Sequence, residues 1–270
     1  MYLGTFFVSQ KCIFNPGINA KMKICVAQTR SVTGEVRKNI DKHKEFTGFA
    51  VSGGADIIVF PELSLTGYEP TLANKLATNE GDDRFRDLQY LSDEQKIIIA
   101  AGIPIKKEQG VMIGMIIFRP NQPQQTYFKQ YLHPDEERYF IKGTYEPVLS
   151  EYEIAMAICY EISVPLHAEQ AHKNEARVYI ASVAKTIAGI EKAIETLTET
   201  AKRYSMFVLL SNCVGECEGK EAGGTSSVWN NKGILLGQLD NINEGMLILD
   251  TTTQEVIVVQ KEFSSAKKIS

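Results

Sequence analysis

Nothing in this 270-residue chain approaches a run of about 18 apolar residues, so no segment reads as a membrane-spanning helix. Neither sign of charge dominates. The 29 Lys and Arg against 33 Asp and Glu leave a net charge of −4, which argues against nucleic acid as a partner, because phosphate binding needs a concentrated basic surface. Cysteine is sparse and odd in number: Cys12, Cys25, Cys159, Cys213 and Cys217 form no regular disulfide framework, and the chain reads as reduced and cytoplasmic. Familiar catalytic words are missing too. There is no GxSxG elbow, no GxxxxGK[ST] phosphate loop, no GxGxxG after a strand and no HExxH. His167 and His172 stand five apart, which does not put two ligands on one helix face, and Cys213 and Cys217 lack a second pair. No metal and no organic cofactor is expected. The first 21 residues have a short apolar start without a basic region before it, broken at Ser9 and Gln10, and make a poor secretory signal. They are read as an N-terminal extension or arm, followed by a single domain over 22–262 and a polar tail over 263–270.

What is present is an alternation of strand and helix patterns. Strands are predicted at 22–28, 56–60, 97–104, 111–118, 124–129, 153–159, 178–182, 206–212, 226–230, 235–239, 245–250 and 255–259. Helices are predicted at 35–53, stopped by Gly53 and Gly54, at 82–96, at 165–174 with Pro165 near its first turn, and around Ile190, Ala193, Ile194, Leu197, Ala201 and Tyr204, which form one apolar stripe. The fold class is α/β, with strands in the centre and helices outside. Whether the strands make one sheet or two is left open by the sequence.

Three predicted strand ends each deliver a reactive residue. IIVFPEL presents Glu62, TYFKQYL presents Lys129 and AMAICYE presents Cys159. Side chains at the carboxyl ends of strands line binding crevices in α/β folds. A thiol attacks only as thiolate and needs a base or a positive field to form one. Glu62 is a candidate base if burial raises its pKa, and Lys129 supplies positive charge to a thiolate and then to an oxyanion. Taken singly, each residue has a plainer reading: Cys159 an inert buried thiol, Glu62 a solvated loop acid, Lys129 a surface charge.

The words around the three residues resemble the nitrilase superfamily of carbon–nitrogen hydrolases, from Met22 to about Asp250. FPELSLTGYEP resembles that family's glutamate segment, FKQYLHPDEERYFIKG its lysine segment, AICYEIS its nucleophile segment, and GGTSSVWNNKG a later glycine and serine turn, all in the family's order. The resemblance implies a four-layer α-β-β-α sandwich, a homodimer or higher homo-oligomer, and catalysis by Glu62, Lys129 and Cys159 without a cofactor. It also implies a second glutamate after the lysine. Glu136 fits that place best, with Glu137 as its neighbour and rival. The backbone N–H of Tyr160 is a natural second oxyanion donor.

The implied activity is hydrolysis of an amide or N-carbamoyl bond in a small molecule through a cysteine thioester. Many nitrile-cleaving relatives place Trp after the nucleophile, where this chain has Tyr160. No arginine occurs in the stretch 161–165, which disfavours a substrate carboxylate and leans toward a neutral or amine-bearing substrate. Glu69, Glu136, Glu137 and Glu146 are candidates for the pocket mouth, and Tyr68, Asn212 and Cys213 for its walls. Nitrile hydrolysis or glutaminase-type ammonia release on the same triad, a Cys–His glutaminase using His133, His167 or His172, and a catalytically silent scaffold are the competing readings.

Overall fold

Residue alternation along the strands decides the layering. In the structure, a computed structural model describing residues 22–261, the strand Lys23–Gln28 turns Ile24 and Val26 to one face and Cys25 and Ala27 to the other, all fully buried. The next strand repeats this with Ile57 and Val59 against Ile58 and Phe60. A strand buried on both faces must be covered on both, and the period of two assigns each side chain to its layer.

In chain order the elements are β1 (Lys23–Gln28), α1 (Val36–Ser52), β2 (Ile57–Val59), α2 (Ala73–Leu76), α3 (Arg86–Gln95), β3 (Ile98–Lys107), β4 (Gly110–Arg119) and β5 (Gln122–Phe128). They continue with β6 (Ile154–Ile158), α4 (Pro165–Lys173), β7 (Val178–Ser182), α5 (Ile187–Tyr204), β8 (Phe207–Ser211), β9 (Glu216–Cys217), β10 (Lys220–Glu221), β11 (Ser227–Trp229), β12 (Leu235–Gln238), β13 (Glu244–Asp250) and β14 (Val256–Lys261). There are two main sheets. Seven strands run β14-β13-β1-β2-β3-β4-β5 and five run β12-β11-β8-β7-β6. One apolar cluster lies between them, holding Ile24, Val26, Ile57 and Val59 with Met156, Ile180, Leu209 and Val228. A second lies between the larger sheet and its helices, holding Ile40, Phe46 and Leu88 with Cys25, Ile58 and Ile99. On the smaller sheet's outer side, α5 buries Ile190, Ala193, Leu197 and Ala201 of the expected stripe. The result is the four-layer α-β-β-α sandwich. No helix among the described residues is long and apolar enough to cross a membrane.

Two serines join the sheets. Ser182 Oγ donates to the Phe60 carbonyl at 2.8 Å, and Ser211 Oγ donates to the Ala27 carbonyl at 2.7 Å. Each satisfies a buried backbone acceptor at a strand end, where the ladder can no longer do so.

The predicted elements hold with local differences. The segment 82–96 opens as a 3₁₀ turn, Asp83–Phe85, capped by Asp82, before α3 begins. The gap between the predicted strands 111–118 and 124–129 is shorter than expected: Pro123 lies inside β5. A proline is tolerated there because β5 is the last strand of its sheet and a missing N–H need not face a partner. The β9–β10 hairpin and the four-residue α2 were not foreseen; both are too short to show a period. The expectations for 1–21 and for 263–270 lie outside the described residues.

Gly102 in β3 has a reason to be glycine. A Cβ there would stand 2.4 Å from the Leu63 backbone nitrogen and 3.1 Å from the Pro61 carbonyl, so the Glu62 turn lies flat on that strand. Its carbonyl accepts the N–H of Leu65 at 3.0 Å. Gly102→Ala is expected to lower stability by about 1–3 kcal/mol, the usual cost of overpacking, because backbone cannot swing aside as a side chain would. A thermal melt checks this; an unchanged midpoint would contradict it.

Candidate active site

The three strand ends converge. β2 is followed by Phe60 and Pro61, and Glu62 then turns inward, 2 % exposed. Lys129 follows β5 directly. Its N–H donates to Ile113 and its carbonyl accepts from Gly143, so backbone pins it on both sides. Its side chain has no exposed surface. Cys159 follows β6 and takes φ +45°, a left-handed conformation that costs a non-glycine residue energy and marks a turn held by its surroundings.

Lys129 Nζ donates to Glu62 Oε1 at 2.7 Å and to Glu136 Oε1 at 2.6 Å. A buried ammonium thus bridges two buried carboxylates. Glu136 ends a 3₁₀ turn, Pro134–Glu136, and its Oε2 accepts the His133 N–H at 2.7 Å. Tyr68 donates its hydroxyl to Glu136 Oε1 at 2.8 Å. The choice between the two neighbouring glutamates is therefore resolved in space: Glu136 joins Lys129, whereas Glu137 is exposed and pairs with Lys142 at 3.2 Å.

Burial shapes the protonation of this cluster. It drives the Glu62 carboxyl above the usual carboxylate range, against the pull of Lys129 and with the push of Glu136. Burial also pulls Lys129 down, but Glu62, Cys159 and Glu136 overcome it and hold the ammonium above the usual lysine range. The Cys159 thiol is pushed up to about 12, first by burial and then by the Glu62 charge, with Lys185 and Lys129 opposing. The thiol bears on the titration of Glu62 as a near neighbour, yet Glu62 Oε2 has no partner at hydrogen-bonding geometry among the described residues. Beside the thiol, then, stands a carboxyl whose second oxygen no described group occupies.

A second network braces the first. Glu161, two residues past Cys159, accepts the N–H of Ile158 at 2.7 Å and of Gln130 at 2.6 Å, and the Tyr127 hydroxyl at 2.7 Å. The cysteine turn and the lysine segment are tied together through this one carboxylate, although they belong to different sheets. Tyr127 in turn meets His167 Nε2 at 2.9 Å, and His167 Nδ1 meets the Tyr179 hydroxyl at 2.8 Å. A proton on Nε2 satisfies the whole chain. Burial raises Glu161 to about 7 and lowers His167 to about 4. A separate cavity of about 320 Å³ opens beside β6 and α4, lined among others by Tyr131, Leu166 and His167, and touches none of Glu62, Lys129, Glu136 and Cys159.

Residues 23–261 match the family described as Carbon-nitrogen hydrolase. The chain belongs to that family. It is 26% identical over 243 residues to the "Hydrolase in agr operon" of Staphylococcus aureus, covering 87% of this chain and 93% of that protein. It is 26% identical over 234 residues to the 2-oxoglutaramate amidase of Bacillus subtilis, covering 84% and 90%. Among solved structures it resembles a mutant of the amidase from Nesterenkonia sp. AN1 that shows covalent addition of the acetamide moiety of fluoroacetamide at the active site cysteine. That likeness has a TM-score of 0.76 at 21% identity, covers 85% of this chain and 89% of the other, and speaks for the fold. The chain is a carbon–nitrogen hydrolase.

Other expectations fare differently in this carbon–nitrogen hydrolase. The Asn212 side chain is spent on structure: Oδ1 accepts the Lys185 N–H at 2.8 Å and Nδ2 donates to the Gly224 carbonyl at 2.8 Å. Cys213 packs with Ala184, Cys217 and Ala222, and Tyr68 borders the group. The backbone N–H of Tyr160 lies in the 3₁₀ turn Cys159–Ser163, and the Tyr160 ring stands edge-on to His133 at 5.3 Å. Glu69 caps its own turn through Thr71. Among the described residues, the groups that most affect the Cys159 thiol are Glu62, Lys185, Lys129 and Glu136, none of them a histidine. Glu161 and Lys185 escaped the sequence reading, since neither carries a motif; the only signal was that Glu161 follows the cysteine by two residues in a segment with apolar neighbours.

Proposed function

We propose that the chain hydrolyses an amide or N-carbamoyl bond of a small molecule through a thioester on Cys159. The observation that carries this reading is the buried ammonium of Lys129 held between Glu62 and Glu136, beside a thiol. A protein has little reason to bury three charges next to a sulfur for stability alone, since desolvation consumes most of the Coulomb gain.

In the first half, Glu62 takes the Cys159 proton as the sulfur attacks the carbonyl carbon, and the C=O electrons move to oxygen. Lys129 and the Tyr160 N–H hold that oxyanion. The C–N bond then breaks as Glu62 returns the proton to the leaving nitrogen, releasing ammonia or an amine and leaving an acyl thioester. In the second half, Glu62 takes a proton from water, hydroxide adds to the thioester, and the proton passes to the departing sulfur. Burial holds the thiol above its usual range, so attack and proton transfer run together, with Glu62 as the base beside the sulfur. Glu136 fixes Lys129, and Tyr68 fixes Glu136. The relatives named as amidases support an amide rather than a nitrile. The reading extends to a cytoplasmic homodimer or higher homo-oligomer without metal or organic cofactor.

Acid quenching during amide turnover, followed by peptide mass spectrometry, is expected to find the acyl group on Cys159. Turnover with an adduct on another residue, or with no adduct under conditions where deacylation limits, would overturn the mechanism.

A further inference from the structure

Side chains clamp the central strands of the two sheets together. Ser211, ending β8, reaches the Ala27 carbonyl in β1, and Ser182, ending β7, reaches the Phe60 carbonyl after β2. The cysteine strand has no such hydroxyl: β6 ends at Ile158 and Cys159 follows. β6 is the last strand of the five-stranded sheet, and β5, which leads into Lys129, is the last strand of the seven-stranded one. No ladder runs between the two sheets, so a side chain must set how far the cysteine turn stands from the lysine segment.

Glu161 stands in that place. It is fully buried, and it grips one peptide group beside each of two reacting residues. Its Oε2 accepts the N–H of Ile158, the residue before Cys159, at 2.7 Å, and its Oε1 accepts the N–H of Gln130, the residue after Lys129, at 2.6 Å. The Tyr131 N–H adds to Oε1 at 3.4 Å, and the Tyr127 hydroxyl to Oε2 at 2.7 Å. Backbone N–H groups can only donate. The Tyr127 oxygen is already met by Gln130 Nε2 at 3.1 Å and by His167 Nε2 at 2.9 Å. These groups all need an acceptor at Glu161, and a carboxylate offers two oxygens, one toward each sheet. Cys159 meanwhile sits at φ +45°, a conformation it keeps only while its neighbours hold the turn.

We propose that Glu161 is a positioning residue for the hydrolysis: by joining the peptide groups next to Cys159 and Lys129, it fixes the sulfur against the ammonium and the Glu62 carboxyl. This rests on the reading that Cys159 attacks an amide-type carbonyl. Glu161 has no exposed surface to offer a substrate, so its effect belongs to the chemical step and not to binding. Misplacing a reacting group by about 1 Å can cost about 100-fold in rate.

Two variants test it. Glu161→Gln keeps the shape but turns one acceptor oxygen into an amide N–H group, which must face a donor on one side. Glu161→Asp keeps the charge but is one carbon too short to hold both sheets. Each is assayed well below its melting temperature, on the best wild-type substrate from a panel of short aliphatic amides and N-carbamoyl amino acids. Glu161→Gln is expected to lose about 10- to 100-fold in kcat and Glu161→Asp about 5- to 20-fold, with KM within about threefold in both. Ser92→Ala is the control for stability alone. It removes a buried hydroxyl on α3 that donates to the Ile97 carbonyl at 2.8 Å, and should lower the melting temperature with kcat unchanged. A kcat within about twofold of the wild type in both Glu161 variants, a loss carried by KM, or a matching kcat loss in Ser92→Ala would overturn the proposal and leave Glu161 a brace of the fold. If Glu161→Gln does not fold, Glu161→Asp decides by the same criteria. If the wild type hydrolyses nothing in the panel, the amide reading falls and this inference with it; a working wild type beside unaffected variants removes this inference alone.

Discussion

Cys159→Ala is expected to abolish turnover while leaving the fold intact. The loss should reach about 10⁵-fold or more in kcat, the scale on which removing a covalent nucleophile acts when the remaining groups have no substitute for it. No substitute is at hand among the described residues. Cys25 lies in the opposite layer, against α1, and Cys213 and Cys217 are packed in their own apolar group. Stability should change little. The side chain lost is one small sulfur, and the thiol was pushed up to about 12 by its surroundings, so no ionised group is stranded when it goes. Turnover assays with circular dichroism and a thermal melt on the same sample check both halves. Full activity in the variant ends the thioester mechanism.

Lys129→Met is expected to damage both stability and catalysis. Methionine keeps the unbranched stem but leaves Glu62 and Glu136 buried without the ammonium that bridges them. Breaking a buried ion pair from one side costs about 3–5 kcal/mol, because the partner charge stays desolvated. Activity should fall by about 10³-fold, as when an oxyanion donor is lost. The stability deficit should also depend on pH, with a fixed sign. Glu62 already holds its proton more tightly when folded than an ordinary carboxyl does, because of burial, and loses its main opposing interaction when Lys129 goes. The unfolded chain releases that proton at lower pH, so rising pH favours unfolding. The gap in melting temperature between variant and wild type should be small near pH 5 and larger at pH 8. A gap that shrinks as pH rises would contradict this account of the cluster.

Much of this was legible in the order of residues. β1, β2 and β7 show unbroken β-branched or apolar runs, and a strand covered on both faces has that signature. The stripe from Ile190 to Ala201 could belong only to a helix with one buried side. Glu62 and Cys159 were recognisable because each ends such a run inside a distinctive word, whereas Lys129 follows the polar strand QPQQTYF and was recognisable from its word alone. The split into two sheets was not legible, because nothing local in β6 says which ladder it joins. Glu161 and Lys185 were not legible for a related reason. Their importance comes from backbone donors and strand neighbours far away in sequence, such as Gln130 and Asn212. The β9–β10 hairpin has two residues per strand, below the length at which any alternation can be seen.

Glu62 and Lys129 ride on the seven-stranded sheet, and Cys159 on the five-stranded one. The distance between Cys159 and Glu62 is therefore a property of how the two sheets are spaced, not of any one loop. The hydroxyls of Ser182 and Ser211, which reach across to Phe60 and Ala27, act as rivets at the height of the reacting atoms. Loosening the sandwich interior would detune the chemistry before it melts the protein, so heat should silence the enzyme a few degrees ahead of its unfolding.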